Sequence, residues 1–61
     1  MKAEIRKRID QQIAKRVKLL ENGRCTAKEF NSYINGMLMG LVMAGAINEN
    51  ERASIFFENE R

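Results

Sequence analysis

The sequence contains no histidine, no proline and no tryptophan, and it has a single cysteine, Cys25. One cysteine cannot close a disulfide within the chain, and the absence of histidine argues against a zinc site. A chain of 61 residues buries only about 60% of its unfolded surface, and such small domains usually need a disulfide, a metal or association for stability. We therefore predict one domain over residues 1–61 that forms a homo-oligomer, most simply a two-fold dimer.

The residue types needed for catalysis are also missing. No histidine is present to act as a base for Cys25, and no glycine-rich loop for phosphates occurs. The carboxylates of Glu49 and Glu51 stand two residues apart, so they diverge on a helix and cannot form an acid–base pair. We predict a protein that is not an enzyme, with no catalytic residue, no metal and no cofactor.

Long apolar runs are absent as well. The longest apolar stretch, Phe30–Ile47, is interrupted by Asn31, Ser32 and Asn35, which leaves fewer than the roughly 20 apolar residues of a membrane-spanning helix. At the N-terminus isoleucines alternate with lysines and arginines, a pattern unlike that of a signal peptide. We expect a cytoplasmic protein that does not enter a membrane.

Breaks in the hydrophobic pattern divide the chain into three helices, over residues 3–21, 27–44 and 49–57. Asn22-Gly23 is a helix stop, Thr26 and Glu29 fit a capping box, and Asn48 can cap the third helix, which is expected to fray after Phe57. The connections are short, so we predict an all-α fold: a helical hairpin of two long helices plus a short third helix, assembled as a dimeric helical bundle.

Two helices have apolar faces that predict the core. On the first helix, apolar residues recur on one side at 100° per residue: Ile5, Ile9, Ile13, Val17 and Leu20. On the second helix the same spacing predicts a central face made of Phe30, Ile34, Met37 and Leu41. Leu38 lies at the edge of this face.

Small residues recur every fourth position along the second helix, at Ser32, Gly36, Gly40 and Ala44. Side chains at this spacing form one ridge, and a ridge of small residues lets another backbone come close. Because each glycine weakens a helix by about 1 kcal/mol relative to alanine, we expect packing to compensate. We predict that these four residues form the oligomer interface.

Three further apolar residues are candidates for contact with a partner. Met39 and Met43 project from the back of the second helix, where methionine suits an adaptable binding surface. Phe57 is one of three adjacent large residues that cannot all face the core. The alternative for the methionines is that they only fill the core.

Charge is distributed unevenly, with a net of +6 over residues 1–28 and −3 over residues 29–61. Four cations lie opposite the apolar stripe of the first helix: Lys7, Arg8, Lys15 and Lys18. They form either a solvated face or a surface for weak, salt-sensitive binding of nucleic acid. Arg16 lies inside the apolar stripe and Arg6 near its edge, and we expect their guanidinium groups to extend out of the core towards Glu29 or a C-terminal glutamate. Alternatively, Arg16 crosses an interface with a second copy or a partner.

Two functions agree with this pattern. The first is a small protein-binding regulator or adaptor that acts as a homo-oligomer and modulates a larger cytoplasmic protein, because the second helix is apolar on nearly every side. The alternative is a small basic regulatory protein that binds DNA or RNA through the first helix. The sequence resembles no family whose motifs would decide between them.

Overall fold

The computed structural model describes residues 1–61 and consists of three helices without any strand, which confirms the all-helical prediction. They are α1, Ala3–Glu21, α2, Ala27–Met43, and α3, Glu49–Asn59. None of the three helices combines the length and the apolar composition that a membrane-spanning helix needs.

Local side chains cap the starts of α2 and α3, and a glycine with positive φ follows the ends of α1 and α2. The Thr26 hydroxyl accepts from the Glu29 amide, and the Glu29 carboxylate accepts from the Thr26 amide. Asn48 and Glu51 make the same reciprocal pair at the start of α3. Gly23 and Gly45 follow the first two helices with φ of 71° and 77°, a left-handed conformation that a residue with a Cβ rarely adopts.

The third helix is longer than the sequence predicts. Instead of fraying after Phe57, α3 continues to Asn59, whose side-chain amide donates to the Ile55 carbonyl at 2.8 Å. The Arg61 amide then donates to Asn31 of α2 at 2.8 Å, which ties the C-terminal end of the chain to α2.

Helix α2 packs against both of the other helices and carries three of the seven buried core residues. The full core consists of Ile9, Ile13, Phe30, Ile34, Leu38, Ile47 and Ile55. One expectation for α2 was wrong: Leu38 is fully buried, whereas Met37 and Leu41 are only half-buried. The reason is that α3 lies along the side of α2 that carries Asn31, Asn35 and Leu38.

Polar contacts join the helices around this core. Arg6 of α1 pairs with Glu58 of α3 at 3.2 Å, which confirms the predicted contact with a C-terminal glutamate, and with Asp10 at 3.1 Å. The Glu58 and Asp10 carboxylates raise the pKa of Arg6. Arg52 of α3 pairs with Glu49 and also donates to Asn35 of α2 at 3.2 Å. The charge asymmetry between the two ends of the chain is therefore used in part within one molecule.

Candidate protein-binding surface

The side of α2 that faces away from the core carries the small-residue ridge. Ser32, Gly36, Gly40 and Ala44 are all exposed. A Cβ placed on Gly36 or on Gly40 would have no neighbouring atom within 4 Å. The chain's own packing thus gives no reason for glycine at either position, although both glycines cost helix stability.

Methionines extend this exposed surface of α2. The side chain of Met39 is 40% exposed and that of Met43 is 85% exposed. At about 100° per residue, Met39, Met43 and Gly36 lie within about 60° of one another around the helix axis. We call Ser32, Gly36, Met39, Gly40 and Met43 the α2 outer face. The helix carries no charged residue between Phe30 and Met43, so this face offers mostly apolar contact.

An open groove runs beside this face, between α1 and α2. It has a volume of about 290 Å³, and its lining is mostly apolar: Ile5, Arg8, Ile9, Gln12, Met37, Leu41 and Ala46. Met37 stands three residues before Gly40, so the ridge borders the groove along one helix turn. A segment packed against the ridge could cover both features, and each has apolar surface to bury.

Phe57 is exposed but lies apart from the α2 outer face. Its side chain is 79% exposed. It stands two residues after the buried Ile55, about 200° around α3, and therefore points away from the core. The structure thus brings the ridge and the two methionines onto one helix face, and it places Phe57 on a separate helix.

Arg16 does not make the contact that its sequence position predicts. Its guanidinium lies over the ring of Tyr33, 3.6 Å from the centroid, and it forms no ion pair with Glu29 or with a C-terminal glutamate. A stacked guanidinium can rest on an aromatic face while its edges stay in water. Glu29 is instead used in capping α2.

The remaining chemistry-bearing residues are dispersed. Cys25 is a free, half-buried thiol in the turn before α2. No three Cys, Asp or Glu side chains come together in an arrangement that could hold a metal ion.

A comparison of the chain with protein-family models, with curated proteins and with solved structures finds no match.

Proposed function

We propose that this protein is a non-enzymatic protein-binding regulator or adaptor that acts as a homo-oligomer in the cytoplasm. The observation that supports this most directly is the α2 outer face, where Gly36 and Gly40 have open space around them while Met39 and Met43 are exposed. Exposed apolar surface of this kind marks interaction sites.

A second copy of the chain is the occupant that suits the ridge best. Glycines let two α2 helices approach closely, and a C₂ pair brings the same ridge from both copies. In an antiparallel pair, Lys28 in the first turn of one α2 lies towards the last turn of the other. That last turn contains no basic residue of its own, so the positive charge complements the helix dipole.

The remaining apolar residues are proposed to bind a larger protein and modulate it. Met39, Met43 and Phe57 are exposed in the single chain. Phe57 lies on α3, apart from the ridge, and stays available after two copies pair through Ser32, Gly36, Gly40 and Ala44, whereas Met39 and Met43 lie beside the ridge and would be shared between the two contacts. Flexible thioethers and an aromatic anchor are typical of surfaces that bind other proteins.

The first test is the mass in solution, measured by light scattering on a sizing column at several protein concentrations. We expect the parent chain to have at least twice the 7.0 kDa chain mass. Gly40→Leu should fall to the monomer mass because its side chain separates the two ridges. Gln11→Leu adds the same side chain on the exposed side of α1 and should keep the parent's mass.

Circular dichroism checks that both leucine variants keep the parent's helix content. A parent that is monomeric at every concentration, or a Gly40→Leu variant as associated as the parent, contradicts the proposed assembly.

The larger partner is tested separately, with tagged parent and variant chains used for capture. A genuine partner should be retained by the parent and by Gln11→Leu. It should be lost with Phe57→Asp, which light scattering should show to be still assembled. Met43→Asp places a charge beside the ridge and should weaken both assembly and capture. Equal capture by all four chains would contradict the role of Met43 and Phe57.

A further inference from the structure

The outer side of α1 carries a concentrated set of positive charges that the proposed assembly does not use. Lys7, Lys15 and Lys18 are exposed and lie within about 80° of one another around the helix axis. Arg8 is exposed beside them. We call these four residues the basic face. From Lys7 to Lys18 it extends about 17 Å along a straight helix, at 1.5 Å per residue.

Three of these four cations have no counter-ion in the chain. Lys7, Lys15 and Lys18 form no ion pair, and Arg8 reaches only Glu4, at 3.5 Å and with both side chains well exposed. Arg6 and Arg52 differ from them, because Arg6 joins α1 to α3 through the Glu58 carboxylate, and Arg52 pairs with Glu49 within α3 and donates to Asn35 of α2. A contact such as Arg8–Glu4 contributes little to stability and is easily exchanged for another anion.

The residues that lie between these cations on α1 indicate which kind of anion the basic face can bind. Between the cations stand Gln11 and Ala14, and no large apolar side chain is present there. A helix that binds at a membrane surface needs an apolar face to insert next to its cations, and α1 has turned its apolar stripe into the core. No cavity encloses Lys7, Lys15 or Lys18, so a small anion would have no pocket.

We propose that the basic face binds the phosphate backbone of a nucleic acid duplex without sequence preference. A convex row of lysines matches a polyanion whose charges repeat along its length, and each neutralised phosphate releases a counter-ion. The basic face contains no aromatic side chain on which a base could stack, so we expect contact with the phosphates and not with the bases. Lys7, Lys15 and Lys18 are on a different helix from the α2 outer face and line none of the cavities, so one molecule can use these lysines and that face together; Arg8 also lines the groove between α1 and α2.

Fluorescence anisotropy with a labelled random-sequence DNA duplex of about 20 base pairs tests this, using the full chain. With four phosphate contacts, the logarithm of the binding constant should fall with the logarithm of salt concentration with a slope of about −3.6. Raising the salt from about 50 to about 200 mM should then weaken binding about 150-fold.

Two double variants with the same net charge distinguish binding by the basic face from attraction by the net charge of the protein. Lys15→Glu/Lys18→Glu should bind at least about 10-fold more weakly than the parent at low salt, with the slope reduced to about −1.8. Lys2→Glu/Arg61→Glu changes the net charge by the same amount at two exposed cations outside the basic face. This control should stay within a few-fold of the parent.

Three outcomes overturn the proposal: no binding to the duplex at low salt, equal loss in both double variants, or binding to phosphatidylserine vesicles without binding to the duplex. Equal loss would mean attraction by net charge alone, and binding only to vesicles would mean a membrane surface. None of these outcomes affects the oligomer proposed above, because light scattering measures that assembly without any nucleic acid.

Discussion

At the residue scale, the four glycines divide into two kinds. Gly23 and Gly45 have positive φ, and a side chain there would be strained whatever the space around it. Gly36 and Gly40 are helical and have open space around them. The first pair is explained by the turns of this chain, and the second pair acquires a physical reason only if another backbone packs against it.

A matched pair of alanine variants tests this division. Gly40→Ala should raise the free energy of unfolding by about 1 kcal/mol, because alanine favours the helix and meets no clash. Gly45→Ala should lower it by about 1 to 2 kcal/mol, because φ is left-handed. Urea unfolding at protein concentrations below the association range measures both. A stabilised Gly45→Ala or a destabilised Gly40→Ala would show that the division is wrong.

At the element scale, α3 is held by its first turn as well as by Ile55. Asn48 and Glu51 satisfy its first amides, and Arg52 connects Glu49 on α3 to Asn35 on α2. The Arg52 guanidinium lowers the pKa of Glu49. This small helix therefore depends on ionised carboxylates, in addition to its single buried side chain.

The contact between Glu49 and Arg52 predicts a dependence on pH. The pKa of Glu49 is lower in the folded state than its ordinary value of 4.5. The stabilising contribution is thus complete above about pH 4.5 and is lost as the pH falls through the folded pKa. We expect NMR titration to find the Glu49 pKa below 4.5 in the parent and closer to 4.5 in Arg52→Gln.

Urea midpoints give the matching stability readout. The parent should be more stable than Arg52→Gln at neutral pH, and the difference should shrink once Glu49 is protonated. Arg8→Gln, which removes the exposed contact at 3.5 Å to Glu4, serves as the control with little effect at either pH. An unchanged Glu49 pKa in Arg52→Gln would contradict the assignment.

At the scale of the whole molecule, the core is small for the number of residues it must order. Seven of 61 residues are buried, and all seven are apolar. A core of this size leaves little margin over the conformational entropy lost on folding. In the proposed dimer, burial of the α2 outer face against a second copy would add apolar contact that the single chain lacks.

Folding and association should therefore be coupled. We expect the Tm of the parent to rise with protein concentration, by mass action on the associated state. Gly40→Leu should show a Tm independent of concentration, whereas Gln11→Leu should behave like the parent. Differential scanning calorimetry at protein concentrations that span about a 100-fold range measures the change in Tm. That range changes the driving force for association by about 2.7 kcal/mol. A parent Tm that does not change over that range contradicts the coupling.

Local patterns predicted most of the fold. The apolar stripe of α1, the stop at Asn22-Gly23 and the capping box at Thr26 depend on residues a few positions apart, and each is found in the structure. The predicted end of α3 at Phe57 falls short of Asn59, where the Asn59 side chain donates to the Ile55 carbonyl and the following Arg61 amide donates to Asn31, 30 positions away along the chain. Propensity near Phe57 carries no information about that contact.

Local spacing and composition are enough to predict the three helices, the caps of α2 and α3, the turns and the excess of positive charge in the first half. Tertiary structure alone decided how α2 is rotated: α3 covers Leu38 and leaves Met37 half-exposed. It also decided that Arg16 lies over Tyr33 and that Lys7, Lys15 and Lys18 have no counter-ion. These outcomes depend on which helices meet, and helical periodicity defines the faces of a helix without specifying its neighbours.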